Sequence, residues 1–160
     1  MQYCTIPSPV GELLLAGDET GLQMVGFQDG THPTIPKPDW QENPRPFKQV
    51  IAQLRDYFGG KRREFDLALV PEGTEFQLRV WSALRTIPYG KTCSYGELAQ
   101  RIRKPKAARA VGAANGQNPI PIIVPCHRVI GANGSLTGFG GGLKIKRILL
   151  ELESNEGSLF

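Results

Sequence analysis

Three consecutive residues, Cys126-His127-Arg128, bring together a soft nucleophile, an acid–base group and a permanent cation. They interrupt the apolar run Ile122-Ile123-Val124-Pro125-Cys126-His127-Arg128-Val129-Ile130, whose β-branched content predicts a strand. A cysteine is a strong nucleophile only as thiolate, and nearby cationic or basic groups favour that form. The apolar flanks partly shield the sulfur from water, which alone favours the neutral thiol. For an arbitrary cysteine, a buried structural role is the commoner one. Here Pro125 stiffens the chain just before the sulfur, and polar residues follow inside a would-be core strand. Nucleophilic chemistry is the better reading.

The remaining composition narrows the class of protein. At 160 residues, with 40% hydrophobic and 21% charged, the chain can bury a real core as one large domain or two small ones. Three cysteines scattered at 4, 93 and 126 argue against a disulfide framework and for a reducing compartment. No CxxC pair and no His pair at ligand spacing supports a metal site. Neither a secretory signal nor a membrane-length apolar run is visible, so a cytoplasmic location is expected. Charge is distributed unevenly. Residues 1–72 carry 7 Lys/Arg against 10 Asp/Glu, net −3, whereas residues 73–160 carry 12 against 5, net +7. Between Arg79 and Arg147 the only acid is Glu97. A one-sided excess over some seventy residues points to a polyanion partner.

The elements that would position these residues follow from periodicity. Gln2–Ile6, Glu12–Ala16 and Leu22–Phe27 are short strand candidates separated by Gly/Pro turns. A Pro-rich loop from Asp29 to Pro46 contains His32, expected to be merely exposed. Phe47, Val50, Ile51, Leu54 and Phe58 then repeat at helical spacing, stopped by Gly59-Gly60. Phe65–Val70 alternates like a half-buried strand. Pro71-Glu72-Gly73 coincides with the change of charge sign and marks the expected boundary between residues 1–72 and 73–160.

The second part reads as mainly helical. Thr74–Gln77 and Ser94–Glu97 both have capping-box form. The second opens a short helix, and a basic turn, Arg103-Lys104-Pro105-Lys106, leads to Ala107–Ala114, giving a helix-turn-helix candidate. Nearly every side chain in that last run is small, which suits either tight helix packing or close approach to a groove; Arg109 alone projects and favours the groove. In the final helix the charges oppose the macrodipole. Lys144, Lys146 and Arg147 crowd its start while Glu151 and Glu153 lie near its end, each placement costing about 0.3–1 kcal/mol. Such charges are expected to serve elsewhere, the acids facing a histidine and the bases a phosphate.

Together these segments resemble the methylated-DNA–protein-cysteine methyltransferases, also called O6-alkylguanine-DNA alkyltransferases. The resemblance rests on Pro125-Cys126-His127-Arg128-Val129, Asn118-Pro119-Ile120-Pro121, Lys106–Gly112, Ser94–Ala99 and Thr137–Gly142, in order across residues 74–153. It implies an α+β chain: a ribonuclease H-like N-terminal sheet-plus-helix domain and a helical C-terminal domain that binds DNA. The implied activity is single-use repair of O6-alkylguanine, and of O4-alkylthymine, in duplex DNA without a cofactor or metal. Cys126 would accept the alkyl group, His127 would take its proton through a water, and Glu153 would orient His127. Tyr95 would donate to the departing guanine.

On DNA, Arg109 would fill the space of the extruded nucleotide, with Ala107, Ala108, Ala110 and Arg128 also at the interface. Asn118 would brace the turn before the cysteine. Phe139, Gly140 and Val129 would form the pocket, the Gly138–Gly142 loop closing over the base. A monomer in solution is expected, with room for copies to cluster along DNA. Two departures stand out. Phe139 occupies a position where the family often has tyrosine, which would relax lesion-size preference. Cys4 is alone where some relatives have a zinc-binding cysteine cluster, so Cys4 and Cys93 are expected to be structural or incidental. Alkyltransferase-like lesion binders replace the acceptor cysteine, which is present here. A Cys–His hydrolase is disfavoured because neighbours on an extended segment point to opposite sides.

Overall fold

The computed structural model describes residues 1–139 and 141–155. Four strands, β1 (Gln2–Ile6), β2 (Leu13–Asp18), β3 (Gly21–Phe27) and β4 (Gln41–Glu42), form one sheet in the order β3-β2-β1-β4. β1–β2 and β2–β3 are antiparallel, and β4 runs parallel to β1. β2 is central, and its Leu13, Leu14, Leu15 and Ala16 are buried on both faces. Helix α1 (Lys48–Phe58) buries Val50, Leu54 and Phe58 of the stripe that the sequence periodicity predicts, leaves Ile51 half-buried, and buries Tyr57 in addition.

Phe65–Val70 does not form the expected strand. It meets β3 at a single bridge, Leu22 to Leu69, with backbone bonds from Leu22 to Ala68 and from Val70 to Leu22. The Gln53 side chain of α1 takes both the N–H and the carbonyl of Asp66, so those groups are unavailable to a ladder.

The C-terminal part contains α2 (Glu75–Leu84), β5 (Cys93–Ser94), α3 (Tyr95–Arg101), α4 (Ala108–Gly116), β6 (Val129–Ile130) and α5 (Leu143–Asn155). Both capping boxes are formed: Thr74 with Gln77 starts α2 and Ser94 with Glu97 starts α3, each worth about 1 kcal/mol. β5 and β6 pair in parallel, bringing the start of α3 beside the end of the Cys126 segment. Trp81 donates from Nε1 to the Ala114 carbonyl at 2.8 Å and fastens α2 to α4.

α3 and α4 form the helix-turn-helix, and Val111 and Ala114 are buried while Arg109, Ala110 and Ala113 are exposed. One hydrophobic cluster runs from Leu13 and Leu15 of the sheet to Leu149 and Leu152 of α5. The architecture is α+β, with sheet and α1 first and the helices after. Among the described residues no helix is long and apolar enough to cross a membrane.

Candidate active site

Cys126 is not on a strand. Residues Cys126–Arg128 make one turn of 3-10 helix, and only Val129–Ile130 continue as strand. Pro125 supplies no N–H, and the surrounding carbonyls are claimed by side chains. Asn115 donates to the Cys126 carbonyl at 3.3 Å and Asn118 to the Val124 carbonyl at 2.8 Å, while Asn118 Oδ1 accepts from Ile120 N at 3.0 Å. Asn118 thus ties the end of α4 to the residues before the cysteine. Ile122, four residues before the cysteine, is buried at φ 74°, a conformation β-branched residues rarely adopt. Local strain of this kind costs about 1–3 kcal/mol and persists only where packing enforces it.

The turn sends His127 and Arg128 inward to Glu153 near the end of α5. His127 Nε2 lies 2.7 Å from Glu153 Oε2. Arg128 holds the same carboxylate with Nε to Oε1 at 2.7 Å and Nη2 to Oε2 at 3.1 Å, and its Nη1 donates to the Ile87 carbonyl at 2.7 Å. Burial would raise the Glu153 carboxyl, but hydrogen bonds from His127 and Arg128 and the Arg128 charge outweigh it and hold it at about 2. Burial lowers the His127 imidazole against the opposing pull of Glu153, so the ring is neutral. Facing an ionised carboxylate, Nε2 carries the proton and Nδ1 is the acceptor. Nδ1 is buried and has no hydrogen-bond partner among the described residues.

The sulfur itself differs from expectation. Burial pushes the Cys126 thiol up to about 11, opposed by Asn118, the Lys146 charge and backbone N–H groups. At neutral pH the resting nucleophile is therefore a thiol, not a thiolate. Chemistry here requires a base at the moment of attack.

Cys126 lines a cavity of about 250 Å³ between the two parts of the chain. Met24–Phe27, His32 and Thr34 form its N-terminal wall; Asn115, Gly116, Asn118, Gly138, Phe139 and Gly141 are among its C-terminal lining. Phe27 and Phe139 meet at 5.7 Å between ring centroids. A Cβ on Gly141 would come within 2.7 Å of the Phe27 ring, so only glycine permits this loop to pass so close. His32 is exposed as expected, yet it also lines the cavity.

Tyr95, at the first turn of α3, is half-buried with its hydroxyl 2.5 Å from Thr137 Oγ1. Thr137 O and Val129 O both accept from Lys146 Nζ, at 3.0 and 2.7 Å. Lys146 is fully buried and so does not face a phosphate; burial lowers its ammonium while the nearby Cys126 opposes this.

The expected DNA contacts separate into two groups. Ala107, Ala108, Arg109 and Ala110 sit at the start of α4, with Arg109 and Ala110 exposed and Ala107 and Ala108 half-buried. Arg128, expected among them, is internal: 6% exposed, held by Glu153, and stacked 5.7 Å from the Tyr89 ring centroid. It cannot reach a duplex without leaving a buried carboxylate. Val129, expected in the pocket, is fully buried in β6 and is not among the residues lining the cavity. Gly140 lies outside the described residues.

Several participants escaped the sequence reading. Asn115 is buried against Cys126, and the N-terminal strand β3 supplies half a wall. Tyr57, on α1, places its hydroxyl 2.5 Å from Glu153 Oε2. In sequence, Tyr57 and Val25 belong to ordinary amphipathic elements, and nothing marks them as different from core.

Comparison with known proteins agrees along the whole chain. The family model for the 6-O-methylguanine DNA methyltransferase DNA binding domain matches residues 75–155, and that for its ribonuclease-like domain matches residues 1–71. The methylated-DNA–protein-cysteine methyltransferase of Methanosarcina acetivorans is 55% identical over 155 residues, 97% of this chain and 99% of the relative. The protein of the same description from Mycobacterium tuberculosis is 54% identical over 155 residues, 97% and 93% of the two chains. A crystal structure of Mycobacterium tuberculosis OGT in complex with DNA superposes with a TM-score of 0.92 at 52% identity, covering 99% of this chain and 96% of that one. With both halves matched and the identity spread over nearly its full length, the chain belongs to the methylated-DNA–protein-cysteine methyltransferase family.

Proposed function

We propose that this chain repairs O6-alkylguanine in duplex DNA by moving the alkyl group to Cys126 Sγ, once per molecule. The observation that carries this reading is the cavity at whose wall Cys126 adjoins a neutral His127 oriented by Glu153. Nδ1, the acceptor nitrogen, takes the thiol proton through one water as Sγ attacks the alkyl carbon. The new S–C bond forms as the C–O6 bond breaks and the electron pair leaves with the guanine; Tyr95 stabilises that anion by hydrogen bonding until it takes a proton from water, while the His127 imidazolium returns the thiol proton to solvent. A thioether has no electrophilic carbonyl for water to attack, so the acceptor is spent.

The base enters the cavity only after leaving the stack, at a cost of a few kcal/mol. Small side chains on α4 permit close approach to the groove, and Arg109, exposed on that helix, occupies the space the base vacates. We assign the DNA-binding and acceptor roles to residues 73–160 and the supporting role to residues 1–72. With duplex lesion in excess, repaired bases should plateau at one per protein molecule. Continued repair beyond that ratio would exclude a self-consuming acceptor.

A further inference from the structure

The carboxylate that orients His127 is shared with the N-terminal part of the chain. Tyr57, at the end of α1 and fully buried, donates its hydroxyl to Glu153 Oε2 at 2.5 Å, across 96 positions of sequence. The same oxygen receives His127 Nε2 at 2.7 Å and Arg128 Nη2 at 3.1 Å. The Tyr57 ring packs against Phe58, Phe65 and Tyr89, so a phenylalanine would fill the space equally well. Only the hydroxyl distinguishes tyrosine there, and it is aimed at the carboxylate that His127 contacts.

We infer that Tyr57 is a positioning residue for alkyl transfer: its hydroxyl shares Glu153 Oε2 with His127 and so sets how strongly that carboxylate draws the imidazole proton. This rests on the transfer reading given above. Burial keeps the phenol proton in place well above ordinary tyrosine pH, so it is a constant donor. A second donor on one oxygen weakens that oxygen as an acceptor for the first. Tyr57 therefore limits the basicity that Glu153 confers on His127, and it holds the carboxylate together with Arg128. The groups facing this centre are Tyr57 from α1, Glu153 and Lys146 from α5, Cys126 and Arg128 from the 3-10 turn, and Tyr89 from the loop after α2.

The test is the pH dependence of single-turnover transfer to Cys126 in the full chain and in Tyr57→Phe. Without the phenol, Oε2 binds Nε2–H more strongly and His127 becomes more basic. The acid limb should move to higher pH by about one unit, the scale of one charge-assisted hydrogen bond. A superimposable profile, or a fall by the same factor at every pH, would overturn the assignment. A 3-fluorotyrosine placed at position 57 strengthens the donor without removing it and should move the limb the opposite way; an unmoved limb there also overturns it. Transfer by the unsubstituted chain in the same series separates the two readings. Its failure removes the relay altogether, whereas an unmoved limb with normal transfer removes Tyr57 alone.

Discussion

The thiol proton is the central difficulty at the scale of single residues. Burial holds Cys126 protonated at neutral pH, and the same burial keeps His127 neutral and able to accept. The two effects are complementary: the sulfur rests as a thiol beside an unprotonated base. Glu153 makes this work by titrating at about 2 and so staying ionised at neutral pH inside the protein.

Glu153→Gln leaves Arg128 without a counter-ion, and breaking a buried pair typically costs about 3–5 kcal/mol. Transfer in that variant should slow by about tenfold or more, read by single-turnover rates. The pH dependence of stability has a definite sign. The folded carboxyl titrates below its ordinary 4.5, so its contribution is full above that pH and is lost as pH falls toward about 2. Thermal denaturation should show that this stretch of the curve flattens in Glu153→Gln. Unchanged slopes would contradict the assigned ion pairing.

Acids near a helix C-terminus oppose the macrodipole and so ask for another partner, but the specific His127–Glu153 pairing was legible only through the family resemblance. The destination of Arg128 was not, since an arginine beside a nucleophile reads equally well as a substrate contact. Tyr57 was not, because a tyrosine on the stripe of Phe47, Val50, Leu54 and Phe58 is indistinguishable from core.

At the scale of elements, turns rather than strands place the chemistry. The β-branched run before Cys126 predicts a strand, but Asn115 and Asn118 take its carbonyls and Ile122 adopts a left-handed conformation, leaving a compact bend. Propensity loses there to side-chain hydrogen bonds between segments distant in sequence, which periodicity does not reveal. The capping boxes of α2 and α3 were readable because their donors and acceptors are only three residues apart.

α4 carries the next prediction. Its outward face offers small side chains and Arg109, so Arg109→Ala should lower repair of duplex lesions by about tenfold or more, roughly 1.4 kcal/mol in the barrier. Free O6-benzylguanine, which needs no extrusion, should lose much less. Equal loss on both substrates would remove Arg109 from base extrusion.

Across the whole molecule, the two halves share one core and one cavity. The positive excess of residues 73–160 is real but not all external, because Arg128 and Lys146 are buried and serve Glu153 and the Val129 and Thr137 carbonyls. The remaining bases around α3 and α4 include the exposed Arg101, Arg103, Lys104, Lys106 and Arg109, the surface a polyanion would meet. The acidic N-terminal half gives the cavity a wall through Met24–Phe27 and reaches Glu153 through Tyr57. The change of charge sign is a matter of composition; the sharing of a site across it depends on contacts between residues nearly a hundred positions apart.

All three cysteines are buried, and burial raises each thiol, so background reactivity does not distinguish them. Only Cys126 lines the cavity. Peptide mass mapping after exposure to duplex DNA containing O6-methylguanine is therefore the most direct measurement. One added methyl on the peptide bearing Cys126, with Cys4 and Cys93 unchanged, is the predicted result. Complete loss of the lesion with Cys126 unmodified, or with the methyl on another residue, would contradict it.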